Sequence, residues 1–131
     1  VRPSEDLVEA LEAVAARHGI REGRIRSLIG STVGARFEDG PAIDDVRSEI
    51  LGLDGRFGRD AAGGTCLDLK FALIGTVGRI HRGRPSRGES LVLICAEVFI
   101  ERLKAAQKLL SRHTSRDVMA EHAELFVTWA A

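Results

Sequence analysis

From Ser4 to His18, Leu7, Leu11, Val14 and Ala15 fall at helical spacing. Ser4 is the candidate N-cap, Glu5 and Asp6 follow in the first turn, and Gly19 stands where a C-terminal cap belongs. This predicts an amphipathic helix. Four β-type runs come next: Arg24 to Ile29 with a continuation toward Phe37, Val46 to Leu53, Thr65 to Ile74, and Leu91 to Ile100. Turn signals such as Glu38-Asp39-Gly40-Pro41 and Asp54-Gly55-Arg56 separate them. Beyond Glu101 the period returns to helical. Leu103, Ala106, Leu109 and Leu110 form one stripe, and Val118, Met119, His122, Leu125, Phe126 and Trp129 form another, with Thr114 or Ser115 as cap between them. The expected fold is α+β: a mostly antiparallel sheet with an N-terminal helix and a helical C-terminal extension over 101–131, in a single domain over 1–131.

Composition narrows the function classes. The chain has 131 residues with 19 Lys+Arg against 19 Asp+Glu, so no global field draws it to nucleic acid or to an anionic membrane. At 44% hydrophobic it can bury a core without disulfides or structural metal. No apolar run is long enough to cross a bilayer, and the first residues lack the charged and apolar parts of a signal peptide, so a cytoplasmic location is expected. Cys66 and Cys95 sit in apolar runs outside any C-x-x-C pair and read as free thiols. With no Tyr, one Trp and five Phe, a stacking platform for single strands is hard to build.

Catalytic constellations are thin. The serines lack G-x-S-x-G, the four histidines lack metal spacing, and Ala61-Ala62-Gly63-Gly64 lacks the Lys-Ser/Thr of a phosphate loop. No enzyme activity and no cofactor are therefore expected. Glu97 is the one acid inside a strongly apolar strand, so it reads as a buried carboxylate in need of a partner.

Two blocks resemble the PPC family, the plants and prokaryotes conserved domain. One runs from Leu11 through His18-Gly19-Ile20 and Ile25-Arg26-Ser27-Leu28-Ile29-Gly30-Ser31 to Gly34-Ala35-Arg36-Phe37. The other is Gly78-Arg79-Ile80-His81-Arg82-Gly83-Arg84-Pro85, then Gly88-Glu89 and Ala96-Glu97-Val98. The resemblance extends over Leu7 to Ile100. It implies a compact antiparallel domain, assembly as a homotrimer, and the DNA-binding label that bacterial members provisionally carry.

The departures from that pattern are informative. Many bacterial members place L-H-x-H in one strand and a third histidine in a G-G-H segment, a metal-ligand set. Here the strand reads Leu67-Asp68-Leu69-Lys70 and the segment Arg82-Gly83-Arg84, so one acid and two bases stand where the resemblance implies histidines. Alternation puts Cys66, Asp68, Lys70 and Ala72 on one face and Leu67, Leu69, Phe71 and Leu73 on the other. Fixed positive charge opposes a divalent cation, so no zinc site is expected, with Cys66, Asp68 and His81 the remaining metal alternative. Two readings fit Asp68, Lys70 and Arg84: an ion-pair network, or a pocket in which Lys70 and Arg84 hold a small anion while Asp68 and Glu97 orient them.

Arg82-Gly83-Arg84-Pro85 also spells the core of an AT-hook, the extended segment that lays two arginines in a narrow minor groove. Arg79 to Glu89 holds four arginines against one acid, a local charge of about +3. Arg79, Arg82, Arg84 and Arg87 are thus the candidate DNA contacts. Their place between two strands favours a folded, solvated loop over a hook. The acid-rich Glu38 to Asp60 offers a pairing partner for it. The expected protein is a binding domain, homo-oligomeric, with DNA and a small anion as candidate partners and no membrane.

Overall fold

The computed structural model describes residues 1–104 and the strand at 124–128. The elements are α1 (Leu7–Arg17), β1 (Gly23–Thr32), β2 (Ala35–Arg36), β3 (Ala42–Ile43), β4 (Ser48–Arg59), β5 (Thr65–Ile74), β6 (Ile80–Gly83), β7 (Val92–Arg102) and β8 (Glu124–Thr128). Six strands form one sheet in the order β6-β5-β4-β1-β7-β8, antiparallel at every pairing, while β2 and β3 form a separate small ribbon. The antiparallel sheet with an N-terminal helix is as the sequence predicts.

The helix begins at Asp6, not at Ser4. Asp6 Oδ1 accepts from the Glu9 N–H at 3.0 Å, and its Oδ2 accepts from the Ser90 N–H at 2.9 Å. Ser4 instead takes a positive φ of 66° and donates its N–H to the Val92 carbonyl. The two oxygens of the carboxylate reach two N–H groups from different parts of the chain, which a single hydroxyl oxygen at Ser4 does not. The other end follows expectation: Gly19 adopts φ 64°, and its N–H closes on the Ala16 carbonyl.

Leu7, Val8, Leu11 and Ala15 of α1 bury against Ile25, Leu28, Phe57, Leu69, Ala96, Val98 and Ile100 of the sheet. A smaller cluster of Ala35, Phe37, Phe71 and Leu73 lies under the β2–β3 ribbon, with the Phe37 and Phe71 rings tilted at 5.5 Å between centroids. The opposite face of the sheet is open among the described residues. It carries Asp68 and Lys70, and further across the sheet Ile29 and Phe99.

Two expectations are corrected. Asp54-Gly55-Arg56 is no turn but the middle of β4, where Gly55 lies opposite Ile25, and a Cβ there would stand 2.7 Å from the isoleucine Cδ1. The glycine serves close approach rather than reversal. Ile80–Gly83, read as loop, pairs with β5 as an edge strand. In the C-terminal extension, Glu101 and Arg102 complete β7, and Glu124–Thr128 pairs with β7 as a strand, consistent with the strand preference of Phe, Val and Thr. The rest of the proposed helical extension, including Leu109, Val118, Met119, His122 and Trp129, lies outside the described residues.

Candidate functional site

β5 and β6 build the site. Their connection is a tight turn in which the Gly78 N–H donates to the Gly75 carbonyl at 3.0 Å, with Gly78 at φ 76°. Asp45 clasps this turn from the β3–β4 connection: its Oδ2 accepts from the Thr76 hydroxyl at 2.8 Å and from the Thr76 N–H, and its Oδ1 from the Arg47 N–H at 3.1 Å. The Thr76 hydroxyl above all, with these two N–H groups, holds the Asp45 carboxyl below the usual carboxylate range.

The four candidate arginines divide into two pairs. Arg87 is tied to α1: its guanidinium bonds Glu12 Oε2 and lies 3.7 Å from Glu9, and the hydrogen bond to Glu12 raises its pKa. Glu12, with a side chain only 8% exposed, uses its other oxygen to accept the Leu67 N–H at 2.8 Å, where β5 runs beyond the reach of β6. Arg84 forms an ion pair with Asp68. Arg79 and Arg82 are exposed and have no carboxylate within ion-pair distance among the described residues.

Strand register explains the division. Lys70 stands opposite Asp54, Asp68 opposite Arg56, and Ala72 between Gly52 and Arg82. The structure brings Asp68 and Arg84 together as an ion pair, with Lys70 two residues along the same face of β5. Asp68 and Arg84 line a recess of about 310 Å³ with Cys66, Glu38 and Arg87, while Lys70 lines a groove of about 580 Å³ beside Arg82. Glu97 joins neither. It lies on β7 opposite Ile29 and is exposed, so the expectation of a buried Glu97 is corrected. The buried acid of that strand is Glu101, fully enclosed and ion-paired with Arg26. Both acids are odd-numbered in β7 and fall on the face away from Val98 and Ile100, and the ion pair with Arg26 compensates the charge that is out of water at Glu101. The Lys70–Arg82 neighbourhood was the feature not read from sequence. Its signal was the Gly75…Gly78 turn between Ile74 and Ile80, which marks a hairpin.

The R-G-R-P segment is folded in place. Gly83 packs against Phe37, Pro85 is buried and bridges to Phe37, and the Arg84 carbonyl accepts the Glu38 N–H at 2.9 Å. Such a segment cannot lie extended along a minor groove. Nor do Asp68, Lys70 and Arg84 suit a zinc ion, since the single carboxylate is already neutralised by a guanidinium. Among the described residues no three His, Cys, Asp or Glu side chains are placed to hold a metal, and no helix is long and apolar enough to cross a membrane.

The model of the Plants and Prokaryotes Conserved (PCC) domain matches residues 1–104. Solved structures share the fold. A plant- and prokaryote-conserved (PPC) protein of Pyrococcus horikoshii superposes with a TM-score of 0.66 at 21% identity, covering 80% of this chain and 76% of that one. A metal-containing protein of Archaeoglobus fulgidus gives 0.61 at 22% identity, covering 76% and 73%. A protein of Bacteroides thetaiotaomicron, provisionally described as DNA-binding, gives 0.63 at 18% identity, covering 76% and 72%. No protein of curated function matches the sequence.

Proposed function

The chain belongs to the Plants and Prokaryotes Conserved domain family, and from that premise we propose that it is a non-enzymatic binding domain that engages DNA through the basic turn and edge strand at Arg79–Arg84. The observation that carries this reading is the pair of exposed arginines, Arg79 and Arg82, without ion-pair partners among the described residues in a chain of zero net charge. Contact is with backbone phosphates, because a folded turn presents its guanidinium groups to a surface instead of threading a groove. Arg84 and Arg87 are held by Asp68 and Glu12 and contribute little.

Two phosphate contacts give a log–log salt slope of about −2 on duplex DNA. Measured across salt, Arg79→Gln with Arg82→Gln is expected to remove that slope, and Arg87→Gln to leave it unchanged. Equal affinity and slope for wild type and the double variant would overturn the reading.

The domain works as a homotrimer in this proposal. Support comes from the β1–β7 half of the open sheet face, where Ile29 is 75% and Phe99 40% exposed. Light scattering at micromolar concentration is expected to read three chains, and a monomer there would end the trimer.

A further inference from the structure

We propose that the groove over β4, β5 and β6 is a binding site for a small organic carboxylate with a short apolar tail. The register builds it as a grid on the open face of the sheet. One row is Gly52, Ala72 and Arg82, and the next holds Asp54 and Lys70. Lys70 and Arg82 are therefore diagonal neighbours across adjacent strands, a separation of about 7–8 Å between backbones that two long side chains readily close onto one anion. Neither has an ion-pair partner among the described residues, although Arg84, the next base along, does.

The floor is bare because Gly52 and Ala72 supply it. A Cβ added to Gly52 would meet nothing within 4 Å, so the space above is open to a ligand. Leu51 borders the same groove and is 54% exposed, while Leu53 beside it packs into the core. At about 580 Å³ the groove falls within the roughly 300–1,000 Å³ of small-molecule sites.

The charge count selects the ligand. Two bases and one acid, Asp54, line the groove, a net charge of +1 that suits a monoanion better than a dianionic phosphate. An ammonium beside a guanidinium gives a carboxylate two charge-assisted donors, and Leu51 takes the tail out of water. The site differs from the DNA surface in using Lys70 and the groove floor. The two share Arg82 and are separated by the other residues.

The test is titration of the full chain with sodium hexanoate, acetate and inorganic phosphate, followed by amide chemical shifts. Hexanoate is expected to give saturable shifts at Gly52, Lys70 and Ala72 with a Kd of about 1 mM, about tenfold tighter than acetate. Lys70→Gln is expected to weaken it about tenfold. Gly52→Val, which fills the floor with a side chain that strands favour, is expected to abolish it while leaving the spectrum elsewhere unchanged. Arg79→Gln tests the DNA reading and is expected to leave hexanoate binding as it was. Absence of saturation by about 10 mM hexanoate, phosphate binding as tightly as hexanoate, or equal hexanoate affinity in wild type and Gly52→Val would each overturn the proposal.

Discussion

Glu12→Ala is expected to lower stability by about 3 kcal/mol and the melting temperature by roughly 10 °C. Its buried carboxylate holds the Leu67 N–H and the Arg87 guanidinium, whose other carboxylate neighbour, Glu9, is 3.7 Å away. Truncation leaves a partly buried N–H unsatisfied, a loss of about 1–3 kcal/mol by itself. It also leaves the arginine that fastens the β6–β7 connection to α1 with Glu9 alone. Glu12→Gln keeps an acceptor for Leu67 and loses only the charge, so it is expected to cost about half as much. Urea denaturation of the two variants reads the difference. An alanine variant within about 0.5 kcal/mol of wild type would show that water replaces the carboxylate and that the connection is held elsewhere.

Gly83→Val is expected to cost about 2 kcal/mol. A Cβ at this position would stand 2.8 Å from Cδ1 and 3.1 Å from Cγ of Phe37, itself buried against Phe71. The ring has to move, and the smaller core cluster moves with it. The variant also discriminates between two meanings of the same four letters. In an unstructured DNA-binding tail the substitution would leave thermal stability untouched, whereas in a folded edge strand it lowers the melting point, measured by calorimetry in the absence of DNA. An unchanged melting point would release Arg82-Gly83-Arg84-Pro85 from the sheet.

The limits of the sequence reading follow from where information about a residue resides. β5 was legible to its ends, Thr65–Ile74, because alternation of Leu, Phe and polar residues depends on that strand alone. The helix was equally legible apart from its cap, since the competing acceptor at Asp6 is settled by Ser90, far away in the chain. β4 was cut short at Asp54-Gly55 because a glycine that accommodates Ile25 on a neighbouring strand looks, in one dimension, like a glycine that turns the chain. The site suffered most. Asp68 and Lys70 were correctly placed on one face and the ion pair of Arg84 with Asp68 falls within the cluster read from the sequence, but the diagonal neighbourhood of Lys70 and Arg82 depends on cross-strand register. Glu97 was misplaced for a simpler reason: its strand is apolar on both faces, so composition did not reveal which one is covered.

The cap of α1 also bears on the order in which the molecule assembles. Asp6 Oδ2 and the Leu7 N–H both engage Ser90, while Ser4 and Glu5 exchange backbone bonds with Val92. A helix of 11 residues is marginal in isolation, and the groups that complete its first turn arrive more than 80 residues later in the chain. During synthesis α1 leaves the ribosome before β7 yet waits for it, so completing its first turn requires the long loop closure that brings Ser90–Val92 to residues 4–7. A chain truncated before Ser90 lacks β7 and the long-range partners of this cap.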